Sequence, residues 1–567
     1  MNLLEDKWLP IRRKDGSLDW IAPHQITEPD IVSLAANRPD FNGALIQFLI
    51  GLLQTTTIID DEIDWADSFD EPPSAAILQA WFAPVTNAFV LDGEGARFMQ
   101  DFSLEVPKKD LSSIDSLLID AAGESTKLKN TDHFVKRNTV NALCPCCVAT
   151  ALFTLHLNAP AGGAGNRTGL RGGGPLTTLV IATPSRGLWH DVWLNVVPKS
   201  AFFRLQKQGD IQKIAPYFTF PWLADIGCIQ TLGGETQPSQ VHPHHVFWAM
   251  PRRIRLDFSE VKTGQCDICK RPSNQLVSHY ITKPQGLNYN GWCHPLSPYY
   301  QNKDDKLPVH PQPSGFSYKN WLAWVLGTTS AKKQVYPANI VHYALAEKDR
   351  QKDQQSTQSR LWVFGYDMDN MKPRCWYETT FPLYELGTLD KRTQTDIAEI
   401  IRQRIEAAEQ TTFYLRQAIK YAWFGDGDMR GDLSFADKAF WDSTEPEFYS
   451  QLRDLLANAQ STGIDMDNET FIIGIGTKWH NVLLKQAIHL FDEDIVGAGA
   501  IDQQNPQRIA KAYNGLKMNL NGKALKSILR LPVADKKDKP EKSNKVSKAQ
   551  APQPKQPPKP NGQLSLI

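Results

Sequence analysis

Two pairs of cysteines, Cys144/Cys147 and Cys266/Cys269, each spaced C-x2-C, lie about 120 residues apart in a chain of 567 residues. Tetrahedral zinc takes four thiolates, and each C-x2-C lets a tight knuckle present two. The separation is far beyond that of an ordinary zinc ribbon. A fold that uses all four must bring two remote segments side by side, with the ion as a cross-link inside a large unit. Four cysteines leave no open coordination position, so the expectation is a structural Zn2+ rather than a catalytic one. Cys146 adjoins the first pair as a competing ligand. Cys228, Cys293 and Cys375 are expected in the core.

The chain around these cysteines is irregular. Short β-branched runs such as Thr177–Ile181 and Val192–Val197 read as strands, and apolar runs such as Ala44–Leu53 and Val148–Leu157 as helices. Residues 1–385 are therefore expected to form one large α+β domain. Residues 386–532 are different. Ile401, Ile405, Ala408, Thr412, Leu415, Ile419 and Ala422 recur in steps of four and three, the stripe of an amphipathic helix that stops at Gly425. Further stripes run through Phe448, Leu452 and Leu455, through Trp479, Leu483 and Leu490, and through Ile509, Tyr513, Leu516 and Leu520. Four such helices with modest loops predict a four-helix bundle. From Val533 to Ile567 there are eight lysines, three acids, six prolines and no aromatic residue. That composition predicts a disordered tail.

Charge excludes one class of function. Lys+Arg and Asp+Glu are both 62, so bulk positive charge cannot hold this chain on nucleic acid, and any basic surface must be local. The first residues lack a basic n-region followed by an apolar h-region. The Ala44–Leu53 run falls well short of the roughly 20 residues a membrane span needs. A cytoplasmic protein with no membrane partner is expected.

The second chemical signal is glycine. Ala161 to Pro175 holds seven glycines in fifteen residues. Glycine admits positive φ and close approach of a ligand to the backbone. No Gly-Lys-Ser/Thr follows, so this is not a P-loop, and the last spacing is wrong for a dinucleotide fingerprint. Arg167 and Arg171 flank the stretch and suit phosphate. Arg252, Arg253 and Arg255 form a further basic cluster. Candidate catalytic groups are weaker: His190-Asp191, the histidines 242, 244 and 245, and Asp367-Met-Asp369, whose neighbours suit a hairpin tip.

Several stretches, in this order, resemble the CasA family, the large subunits of the type I-E CRISPR surveillance complex Cascade. They are Met1 to Pro10, Ala142 to Cys147, Ala159 to Gly173, Val246 to Trp248 and Gly291 to Pro298. The resemblance covers residues 1 to about 530 and does not need the tail. It implies a non-catalytic subunit that reads the protospacer-adjacent motif (PAM) on double-stranded target DNA, starts unwinding and R-loop formation, and recruits a helicase–nuclease. Base pairing with the guide RNA then reads the target, while protein reads only the PAM. The implied partners are the backbone, small and 5′-handle-binding subunits of the complex, the guide RNA and the DNA. The family's glycine loop matches Gly163, Ala164 and Gly165, beside Arg167. Its lysine finger best matches Lys283. Its wedge hairpin matches Asp369, Asn370 and Met371. The loop with Phe134, Lys136 and Arg137 matches the segment that docks near the guide RNA and the neighbouring subunit. Two other readings carry their own predictions. A metal-dependent nuclease would use His190, Asp191 and the 242–245 histidines. A free-standing zinc-stabilised nucleic-acid-binding protein would bind tightly without partners.

Overall fold

The computed structural model describes residues 1–105, 111–129, 137–163, 165–329, 334–346, 358–369, 371–384, 386–425, 432–497 and 505–533. Phe134, Lys136, Ala164, Asn370 and residues 534–567 lie outside the described residues.

The core is organised around helix α1, Pro39–Thr56, which starts with proline at its first position, where no amide hydrogen is needed. Its apolar residues run all the way round, so it is buried on nearly every side. The Phe48 ring meets the edges or faces of Trp8, Phe89, Phe98, Phe153 and Trp248 at centroid distances of 5.2 to 5.9 Å. Two glycines on α1 set close approaches. A Cβ at Gly43 would lie 2.9 Å from the Phe364 and Trp376 rings, and one at Gly51 would lie 2.9 Å from Phe247.

The strands form small sheets rather than one large one. Strands β1 (Leu9–Arg13), β2 (Leu18–Ile21) and β3 (Ile31–Leu34) are antiparallel with β1 central. Strand β4 (Thr177–Thr183) pairs with β9 (Gln358–Asp369), which pairs in turn with β10 (Lys372–Leu383). Strand β5 (Arg253–Leu256) pairs with β8 (His279–Lys283), and β6 (Lys262–Gln265) with β7 (Pro272–Leu276). A four-stranded sheet uses 299–302, 305–308, 328–329 and 334–336.

Helix α2, Pro145–Asn158, follows the first cysteine knuckle, as the apolar pattern predicts. The expected strand Val192–Val197 does not form. Helix α3 covers Leu188–Trp193, and Asn195 then bonds both backbone groups of Val180 on β4. The β-branched run is apolar because it is buried, and the i,i+4 pair Trp189 and Trp193 stacks at 4.9 Å, which a helix permits. Cys228 and Cys375 are exposed and Cys293 is half-buried, so the expectation of three core thiols fails.

The C-terminal helices follow the predicted stripes. They are α4 (Lys391–Phe424), α5 (Ser434–Thr462), α6 (Glu469–His489) and α7 (Pro506–Leu520), with the short α8 (Lys523–Ile528) behind them. Asp390 caps α4 by accepting from the Arg392 and Thr393 amides, and Gly425 ends it at φ +74°. Helix α4 packs against α5, α6 and α7, as the central member of a bundle does. Buried Tyr318 plugs the rest of the chain into this bundle. Its ring stacks on Phe448 at 4.3 Å, and its hydroxyl is 2.9 Å from Thr444 Oγ1. Among the described residues, no helix is long and apolar enough to cross a membrane.

Candidate metal centre and nucleic-acid interface

The two cysteine pairs meet. The sulfurs of Cys144, Cys147, Cys266 and Cys269 all lie within 4.8 Å of one another, and Cys144 Sγ is 3.7 Å from Cys269 Sγ. A tetrahedral ion with metal–sulfur bonds of about 2.3 Å needs its sulfurs roughly 3.8 Å apart, so the donor set fits. Cys144 is the N-cap of α2, and its sulfur accepts from the Cys147 amide at 3.5 Å. The second knuckle closes where the Cys266 amide donates to the Arg271 carbonyl at 2.9 Å. Backbone bonds zip the knuckles together. Leu143 and Val277 exchange amide–carbonyl bonds at 2.9 and 2.8 Å, and Asp267 accepts from the Asn141 and Ala142 amides at 2.7 and 2.9 Å.

Four sulfurs this close compete for protons. Hydrogen bonds from Cys144, Cys147 and Cys269 pull the Cys266 thiol down, while Cys147 and Cys269 are pushed up, chiefly through Cys144. A divalent cation relieves the competition by taking all four as thiolates and releasing their protons. Cys146 is half-buried and stands outside the cluster.

The glycine stretch runs between two of the predicted elements. At one end the Gln285 amide donates to the Gly165 carbonyl at 2.7 Å. A Cβ on Gly165, at φ +82°, would lie 2.8 Å from Pro284 Cβ. Lys283, exposed at the end of β8, is therefore the residue just before this contact. At the other end a Cβ on Gly174 would lie 2.6 Å from Tyr366 Cβ and 3.0 Å from Met368 Cε, on the stem of the β9–β10 hairpin. Gly163 points into open space and is exposed. Beneath the loop, Arg252 Nη2 donates to the Pro160 carbonyl. The Nε atoms of Arg167 and Arg252 are buried with no hydrogen-bond partner among the described residues.

The hairpin tip expected at Asp367-Met-Asp369 closes the long antiparallel pair of β9 and β10. Asp369 pairs with Lys372 across a two-residue connection in which Met371 is exposed at φ +68°. Sequence reasoning missed Arg374. Its guanidinium donates to Asp367 at 2.7 and 3.1 Å and lies 3.5 Å from Asp369. It therefore neutralises both carboxylates near the tip. It sits at the irregularity of the returning strand, where Asp367 faces Cys375 and Met368 faces Pro373, so regular pairing does not place it against the acids.

Other candidates are committed elsewhere. Arg171 is buried and donates to Thr177, Ser297 and Gln47 at 2.6 to 3.0 Å, so it holds the core and cannot reach phosphate. Arg253 pairs with Asp101 at 2.6 Å, and Arg255 donates to the Leu104 carbonyl at 2.6 Å. Arg137 is exposed and donates to the Lys127 carbonyl at 2.8 Å. His190 is pushed down to about 4 by burial against the Phe69 ring, and burial lifts Asp191 to about 7 while it accepts from the Ala182 amide. His244 stacks on Phe202 at 4.8 Å, and His245 bridges the Phe218 carbonyl and the Tyr289 hydroxyl. Among the described residues, the four cysteines are the only such side-chain group placed to hold an ion.

Residues 2–489 match the sequence family described as CRISPR-associated protein Cse1. Three solved structures are similar in fold. CasA of Thermus thermophilus is 14% identical, with 92% of this chain and 99% of that chain covered and a TM-score of 0.66. Cse1 of Thermobifida fusca is 16% identical, with 94% and 98% covered and a TM-score of 0.67. A chain of a CRISPR RNA-guided surveillance complex is 16% identical, with 92% and 99% covered and a TM-score of 0.64.

Proposed function

The chain belongs to the CRISPR-associated Cse1 family, and from that membership we propose that it is the large, non-catalytic subunit of an RNA-guided surveillance complex. In this reading it recognises the PAM on double-stranded DNA, starts unwinding and R-loop formation, and recruits a helicase–nuclease. Its partners are the other subunits of the complex and the guide RNA, in the cytoplasm. The observation that carries the reading is the reach of one glycine-rich segment. It touches Pro284 and Gln285 beside Lys283 at one end and the stem of the Met371 hairpin at the other.

Each element has a role in this scheme. The backbone at Gly163 and Gly165 approaches the groove of the duplex, where glycine removes the side-chain barrier. Lys283 and Arg167 supply cations to phosphate and base edges, and the minor groove offers a degenerate pattern that suits tolerance of several PAMs. The tip at Asp369, Asn370 and Met371 enters the base stack, an insertion that costs a few kcal/mol per step and is offset by new contacts. Arg374 limits the repulsion between Asp369 and phosphate. Phe134, Lys136 and Arg137 dock the subunit near the guide RNA. We assign Zn2+ to Cys144, Cys147, Cys266 and Cys269, as a brace between the segments that carry the loop and the lysine. The proposed division is residues 1–385 for recognition, 386–532 for the bundle and 533–567 for the tail.

The test is duplex binding by the guide-loaded complex, assembled with and without this chain, on targets that differ only in the PAM. PAM-dependent affinity that appears only with the chain supports the reading. Equal binding in both assemblies overturns it.

A further inference from the structure

Residues 505–533 carry six cations, Arg508, Lys511, Lys517, Lys523, Lys526 and Arg530, and no carboxylate. They form α7, α8 and the turns around them, with Lys511, Lys517, Lys523 and Arg530 exposed. The sequence continues with eight lysines against three carboxylates to residue 567. The chain as a whole is neutral, so its last ninth concentrates a positive charge that the remainder lacks. Such a run favours phosphate, with strong salt dependence.

Within the run, large apolar residues vanish and then return. From 534 to 562 there is no Leu, Ile, Met or aromatic residue, and five prolines fall between 552 and 560. Then Gln563-Leu-Ser-Leu-Ile567 sets three large aliphatics in four positions behind an amide side chain. Aliphatic side chains gain by leaving water, and short peptides are taken up by grooves with pockets for side chains and hydrogen bonds for amides. Gln563 supplies both a donor and an acceptor. A bilayer fits less well, because interfacial segments commonly need about 20 residues of amphipathic pattern, and no aromatic anchor is present.

We propose that Gln563–Ile567 is a docking peptide for a protein partner that itself sits on duplex DNA and offers an apolar peptide groove, as DNA sliding clamps do. The basic run from Arg508 onward lies along the same DNA and raises the local concentration of the peptide at the groove. The charge points to DNA and the aliphatic cluster to a protein, and a DNA-bound protein satisfies both. This inference goes beyond PAM recognition.

The experiment uses the guide-loaded complex with the full chain and, as probe, the replication sliding clamp, free and loaded on a circular duplex without a target. Leu564→Ala/Leu566→Ala is expected to weaken clamp binding about 100-fold. Added salt is expected to weaken binding to the DNA-loaded clamp more than to the free clamp. The same variant keeps full PAM-dependent target binding, so this proposal and the recognition reading fail separately. Equal clamp binding by wild type and variant, or none by either, overturns the proposal. So does binding to mixed phosphatidylserine–phosphatidylcholine vesicles that the variant loses, which assigns the segment to lipid. A lowered melting temperature of the variant chain also overturns it, by seating the segment on its own bundle.

Discussion

The Gln285 amide donates to the Gly165 carbonyl at 2.7 Å, across 120 residues of sequence. The loop and the lysine-bearing strand thus share one backbone bond, while Pro284 fills the space a Gly165 side chain would need. Gly165→Val is expected to push these segments apart and to strain a backbone at φ +82°. PAM-dependent binding by the assembled complex should fall at least about 10-fold. Gly163→Ala meets open space and should cost less, which titration of the two variants on one target would show.

The metal centre makes a separate prediction. Cys266→Ser removes one of four donors from a cluster that joins two distant segments. Metal analysis should find about one zinc per wild-type chain and far less in the variant, with a melting temperature lower by roughly 5 °C or more. Full retention of metal and stability would sink the assignment. A chelator should reproduce the effect, and rebinding should release protons to an indicator dye.

At the hairpin tip, Met371 holds φ +68°, where a non-glycine residue is strained by about 1 kcal/mol. Met371→Gly removes that strain and adds a similar entropic cost, so the melting temperature should stay nearly constant. Loss of the exposed side chain should nevertheless weaken target binding several-fold if the tip enters the base stack. Unchanged binding would place the tip outside the interface.

Acid should unfold the chain cooperatively. Burial lowers His156 to about 3 and His245 to about 4, and holds His244 and His294 well below the ordinary range. These side chains are neutral in the fold and bind protons when unfolded. Their contribution is complete above the unfolded value of about 6.5 and is lost as pH falls through 6.5 towards the folded values. Each steepens the loss by about 1.4 kcal/mol per pH unit in that window. Asp191, lifted to about 7, acts the other way: its stabilising effect is present at acid pH and fades as pH rises towards 7. Melting curves from pH 7 to 4.5 should show the net fall, because the histidines outnumber it.

Much of this was legible in the chain because the signals were local. Cysteine knuckles need only C-x2-C, and α4 announces itself through a stripe from Ile401 to Ala422. The metal pairing was legible because four thiols in two pairs suit one ion. Long-range facts had no local trace. Arg171 looks like a phosphate ligand in a glycine-rich loop, yet Gln47 and Ser297, both more than 120 residues away, claim its guanidinium. Val192–Val197 imitates a strand because complete burial produces the same β-branched run in a helix end and turn. Arg374 was overlooked because its partners are defined by hairpin register, with Asp367 opposite Cys375.

Phe48 touches five aromatic rings carried by four other parts of the chain, near residues 8, 89–98, 153 and 248. A hub of this kind restricts how such a protein can change over generations. A new side chain at position 48 opens or overfills space against all five neighbours at once, so single steps are penalised and only linked replacements remain open. The loop tips, which meet few neighbours, can vary one residue at a time. Divergence should therefore be quick at the exposed loop tips and slow, or concerted, where Phe48 sits.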